Sequence, residues 1–64
     1  MKVDPNRWPK KATIGQWGKI LDVTAQTVQA RRKRGLLGDG VLTINRRRIY
    51  TREEIARAFD IQLV

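Results

Sequence analysis

Thr13 and Thr24 stand eleven positions apart, and each carries the pattern of a helix start. Thr13 has Gln16 three residues on, the spacing of a capping box in which the two residues satisfy each other's free backbone N–H groups. Ile14, Trp17, Ile20 and Leu21 follow at helical spacing, which predicts a helix over about 14–21. Thr24 is a second N-cap ahead of Ala25-Gln-Thr-Val-Gln-Ala-Arg-Arg-Lys-Arg34, and Gly35 stands where a helix commonly ends in the left-handed conformation. Asp22 and Val23 interrupt the apolar pattern between them. Two short helices therefore meet across a three-residue turn, which is helix-turn-helix spacing. In a chain of 64 residues this pair takes up the centre of the only domain that fits.

The glycines of the first helix, Gly15 and Gly18, weaken it by about 1 kcal/mol each relative to alanine, so packing or close approach by a neighbouring element must compensate. On the second helix Val28 faces inward, flanked by Thr27 and Arg31 or Arg32, while Ala25, Gln26, Gln29, Ala30 and Lys33 take the opposite side. Leu36 and Leu37 are expected to close the helical pair against the core, and Gly38-Asp-Gly40 is a turn cluster. Val41-Leu-Thr-Ile44 and Arg48-Ile-Tyr50 then read as a small hairpin whose tip presents arginines, with Asn45 the expected residue of positive φ. The alternation leaves open which face of the hairpin is core. Thr51-Arg-Glu-Glu54 is a second capping box, and Ile55 and Phe59 mark a last helix of about 52–59.

At the ends, residues 1–12 hold both prolines and read as an irregular arm, with Trp8 as its anchor on the core. Residues 13–59 form the folded domain, and 60–64 are a short hydrophobic tail. Ile61, Leu63 and Val64 either fold back on the domain or meet a partner. The expected class is α+β, a small winged helix-turn-helix of helix, turn, helix, two-stranded wing and C-terminal helix.

Composition narrows the chemistry. No Cys and no His exclude disulfides, zinc fingers and haem ligation, and remove the commonest acid/base and nucleophilic side chains, so neither an enzyme nor a metal or cofactor site is expected. No small-molecule substrate is expected either. No apolar run approaches the roughly 18 residues of a membrane span, and Met1–Lys11 has no signal-peptide character, so a cytoplasmic protein is expected. Lys and Arg number 14 against 6 Asp and Glu, a net charge of +8. Seven of these cations fall in two runs, Arg31-Arg-Lys-Arg34 and Arg46-Arg-Arg48, the footprint of a protein that neutralises phosphates. The partner this implies is double-stranded DNA. A glutamine can read an adenine edge bidentately, and Arg or Lys can read guanine or hold phosphate. A groove-sized helix with an arginine hairpin beside it suits a major groove and the adjacent minor groove.

The residues resemble the small phage excisionases and the related MerR-like winged-helix domains. Thr13-Ile-Gly-Gln-Trp-Gly-Lys-Ile-Leu-Asp-Val-Thr-Ala-Gln-Thr-Val28 is similar to that family's opening helix and the start of its recognition helix. Gly35-Leu-Leu37 resembles its helix-terminating GxL segment, and Leu42-Thr-Ile-Asn-Arg-Arg-Arg-Ile-Tyr-Thr-Arg-Glu-Glu-Ile55 its wing and RxYTxEEI segment. The likeness covers about 13–59, and its TV and RRxYT signatures recur in excisionases, resistance regulators and phage activators. The resemblance implies base contacts from Gln26, Gln29, Ala30 and Lys33, with Ala30 limited to a thymine methyl. Phosphate contacts are expected from Thr24, Arg31, Arg32 and Arg34, and wing contacts in the minor groove from Arg46, Arg47 and Arg48. Arg31 departs from the family, which commonly has an apolar or aromatic residue there; Trp8 or Trp17 is expected to fill that space unless the helix is more exposed.

Three functions follow. The first is an excisionase that bends attachment-site DNA and biases an integrase toward excision, favoured by a length without room for an effector or dimerisation domain. The second is a phage or plasmid transcription regulator using the same module, and the third an adaptor for an acidic protein. A single short recognition helix reads few base pairs, so cooperative self-association on DNA is expected, with the tail and the wing as contacts between copies.

Overall fold

The computed structural model describes residues 2–64. Each helix begins on a threonine. Helix α1 (Ile14–Leu21) has the reciprocal capping box of Thr13 and Gln16, and α3 (Arg52–Ala58) has that of Thr51 and Glu54. Helix α2 (Ala25–Lys33) starts where the Thr24 hydroxyl accepts the Thr27 N–H at 3.2 Å. Each also ends on a left-handed residue: Asp22 (φ 58), Gly35 (φ 79) and Asp60 (φ 55). After α2 the Leu36 N–H reaches the Arg31 carbonyl and the Gly35 N–H the Arg32 carbonyl, both at 3.0 Å, which is the Schellman arrangement.

The strands are short. β1 (Lys2–Val3) pairs in parallel with β5 (Gln62–Leu63), while β2 (Lys11–Thr13), β4 (Arg48–Thr51) and β3 (Val41–Leu42) form an antiparallel sheet in the order β2-β4-β3. Ala12 lies opposite Tyr50, and Val41 opposite Ile49. With three helices, this is a small α+β winged helix-turn-helix in which β3 and β4 form the wing.

At the ends, one expectation is corrected and one open alternative is resolved toward folding back. The N-terminal arm is not irregular: it contains β1, a 3₁₀ turn at Pro5–Arg7 capped by Asp4, and β2. Its backbone groups find partners far along the chain, in the tail and in β4, which local sequence does not announce. The tail is covered, because β5 pairs with β1 and Ile61 and Leu63 pack against the core, leaving Val64 exposed. The expectation of contact between copies through an uncovered tail therefore loses its basis.

The core gathers Trp8, Ala12, Trp17, Val28, Leu37, Tyr50, Ile55, Ala56 and Ala58. Trp8 meets Trp17 edge-on with ring centroids 5.4 Å apart, so it is the anchor expected of it. Trp17 donates its indole N–H to the Tyr50 carbonyl at 3.0 Å, tying α1 to the sheet. Tyr50 settles the face of the wing that was open: it is fully buried and donates to the Gly38 carbonyl at 2.7 Å, while Ile49 is half-buried. Ile20 and Leu36 are exposed, in contrast to the apolar pattern, while Trp17 of the same helix and the adjacent Leu37 are buried.

Candidate nucleic-acid interface

Helix α2 packs through one side only. Val28 is fully buried, Thr27, Arg31 and Arg32 are half-buried, and Ala25, Gln26, Gln29, Ala30, Lys33 and Arg34 are exposed. The turn that presents this face is tight. A Cβ on Gly18 would lie 2.9 Å from the Val23 carbonyl oxygen, so glycine lets the start of α2 fold back onto α1. Gly15 has nothing within 4 Å of such a Cβ, so of the two glycines only Gly18 serves close approach.

Arg31 and Arg32, about 100° apart around the helix, have separate surroundings. The Arg31 guanidinium lies 4.9 Å from the centroid of the Phe59 ring, linking α2 to the end of α3. That stacking fills the position where an apolar residue was expected; neither tryptophan is needed there. Arg32 turns toward the wing: its Nη1 is 3.5 Å from Asp39 Oδ1, and its Nε is shielded from solvent without a hydrogen-bond partner.

The wing is held by backbone and threonine. The Arg46 N–H donates to the Thr43 carbonyl and the Thr43 N–H to the Arg47 carbonyl, both at 2.9 Å, and the Arg47 N–H reaches Thr43 Oγ1 at 3.2 Å. The residue of positive φ is Arg46 (φ 60), not Asn45 as expected: the tip is a three-residue loop whose last residue takes the left-handed conformation. Arg46 and Arg47 are exposed, whereas Arg48 donates to the Asp39 carbonyl at 2.9 Å and braces the base of the wing. Gly40 (φ 67) completes this base, because a Cβ there would lie 2.6 Å from the Ile49 carbonyl oxygen.

These elements enclose an open cleft of about 360 Å³. Its walls are the first turn of α1 (Thr13, Ile14, Gly15), the wing side of α2 (Ala25, Gln29, Arg32) and the wing arginines Arg46, Arg47 and Arg48. A helix N-terminus and four guanidinium groups give it a positive field. Arg32–Asp39 and Arg52–Glu53 (4.0 Å) are the two ion pairs among the described residues, so the wing arginines, Lys33 and Arg34 have no acidic partner.

Among the sequence-predicted residues, Gln29, Arg32, Arg46, Arg47 and Arg48 share the cleft, and Gln26, Ala30 and Lys33 lie further out on the same exposed side of α2. Arg31 sits on the other flank, over Phe59, and the Thr24 hydroxyl is engaged with Thr27 Nα and Oγ1. Asp39, which positions both Arg32 and Arg48, is missing from the sequence reading; its turn-cluster setting between two glycines was visible but its charge was not used.

The fold and this basic surface define a winged helix-turn-helix DNA-binding domain. The profile of the MerR HTH family regulatory proteins matches residues 12–62, and the chain belongs to that family of DNA-binding regulators. Comparison with curated proteins and with solved structures returns no match. Among the described residues no helix is long and apolar enough to cross a membrane.

Proposed function

We propose that this chain binds double-stranded DNA sequence-specifically, with α2 in the major groove and the wing at the adjacent minor groove. The observation that carries the reading is the arginine-lined cleft between α1, α2 and the wing, continuous with the exposed amide and lysine face of α2. In this reading Gln26, Gln29 and Lys33 meet base edges and Ala30 is confined to a thymine methyl, while Arg32 and Arg34 hold phosphates. Arg32, at the cleft wall, offers the accessible side of its guanidinium to a phosphate oxygen. Arg46 and Arg47 enter the minor groove, and Arg48 orients them from the base of the wing. Arg31 and Thr24 contribute chiefly through structure, by the Phe59 stack and the cap.

The particular role proposed is that of an excisionase, bending DNA at an attachment site and biasing an integrase toward excision. The excisionase-like segments Thr13–Val28 and Leu42–Ile55 support it. Transcription regulation through the same contacts is the second reading, favoured by the regulatory family to which the chain belongs. Both roles use DNA in a bacterial cytoplasm, without catalysis. Recovery of fragmented host and element DNA on the purified protein at about 150 mM salt, followed by sequencing, separates them. Closely spaced direct repeats beside an integrase attachment site support the excisionase; peaks confined to promoters support the regulator. No enrichment over a charge-scrambled control contradicts both.

A further inference from the structure

Three of the six large apolar side chains that are exposed among the described residues lie within four positions on the wing: Val41 (69% exposed), Leu42 (56%) and Ile44, which is fully exposed. Val41 and Leu42 belong to β3, opposite Ile49 and Arg48, whereas Ile44 is in the loop that ends the ribbon. It touches none of the core and is followed at once by Asn45, Arg46 and Arg47. The loop is tied on both sides of it by the Thr43–Arg46 and Thr43–Arg47 hydrogen bonds, so the side chain projects from a fixed platform. The base of that platform is in turn braced by Arg48 on the Asp39 carbonyl.

An apolar side chain alone at a cationic tip is poorly suited to water and well suited to a surface that is anionic at its rim and apolar between its flat faces. Stacked base pairs seen from the minor groove are such a surface: phosphates line the edges, and opening a step exposes the faces of the bases. Proteins that enter this groove frequently drive an apolar wedge into one step and kink the duplex toward the major groove. The groove is about 6 Å wide, which admits a single branched aliphatic side chain at the end of a loop. We propose that Ile44 is such a wedge: the wing tip unstacks one base step while Arg46 and Arg47 hold the flanking backbone. This inference rests on the DNA-binding reading and gives it a mechanism of bending.

Ile44 is solvent-exposed, so Ile44→Ala leaves the fold intact, which urea unfolding verifies. The test uses a duplex recovered in the selection above, end-labelled for energy transfer, with 2-aminopurine placed in turn at each step of the minor groove flanking the α2 site. Wild-type protein is expected to bend the duplex by about 20–90° and to raise 2-aminopurine fluorescence at one step. Ile44→Ala is expected to lose most of the bend and the fluorescence rise, with a smaller fall in affinity than Arg46→Ala, because the wedge spends its contacts on unstacking. Equal bending by wild type and Ile44→Ala overturns the wedge while leaving DNA binding in place. Unchanged bending with reduced cooperativity between tandem sites overturns it in favour of a contact between copies. Absence of any DNA binding by wild type overturns the DNA reading itself.

Discussion

Gly15 and Gly18 stand three positions apart in α1, yet substitution at the two positions is expected to have opposite effects. A Cβ at Gly18 meets the Val23 carbonyl oxygen at 2.9 Å, so Gly18→Ala forces the helix-turn-helix apart and is expected to destabilise by about 1–3 kcal/mol. Gly15→Ala enters open space and is expected to stabilise by about 0.5 kcal/mol through backbone entropy. Urea unfolding of the two variants checks both signs. Tyr50 makes a second residue-scale prediction. Burial pushes its phenol above the ordinary value, so folding favours the neutral form. That preference is fully present below about pH 10, the unfolded value, and is lost as pH rises through the higher folded value. Tyr50→Phe is expected to lose about 1 kcal/mol near neutrality with the bond to Gly38, and to decline less steeply than wild type in urea midpoints taken above pH 10.

At the scale of elements, the helices were legible because their signals are local. Thr13, Thr24 and Thr51 announce helix starts through hydrogen bonds that close within three residues, and all three do so. Helix ends were legible where glycine marked them, as at Gly35, or where the apolar pattern broke, as at Asp22, while the left-handed conformation of Asp60 had neither signature. The wing was legible as a hairpin, but its face was not, since the burial of Tyr50 depends on β2 and the Gly38 carbonyl. The β1–β5 pairing joins the two ends of the chain, and no local pattern encodes it. It carries a consequence: removal of residues 61–64 strips Ile61 and Leu63 from the core edge and leaves β1 unpaired. Lowered thermal stability is expected, with cooperativity between tandem DNA sites unchanged at temperatures where the shortened chain is folded. A loss of cooperativity without a loss of stability contradicts that assignment. On α2, Gln29→Ala is expected to alter preference at one base pair by about 1–3 kcal/mol, whereas Arg34→Ala weakens all sequences about equally. Competition binding against single-position variants of the selected site reads the difference; uniform weakening by Gln29→Ala removes it from base recognition.

Across the whole molecule the net charge is +8, and Arg32, Arg46, Arg47 and Arg48 line the cleft where α1, α2 and the wing converge, with Arg32 alone of the four in an ion pair among the described residues. The candidate site was legible in outline from the two arginine runs. Its internal division was not, because Arg31 on Phe59, Arg32 on Asp39 and Arg48 on the Asp39 carbonyl are set by tertiary neighbours from α3 and the Gly38–Gly40 turn. The central claim is that this convergent surface neutralises DNA phosphates. It is tested most directly by the salt dependence of equilibrium affinity for the selected duplex. With about six phosphates neutralised, log K is expected to fall against log salt with a slope near −5. A slope near zero contradicts the account.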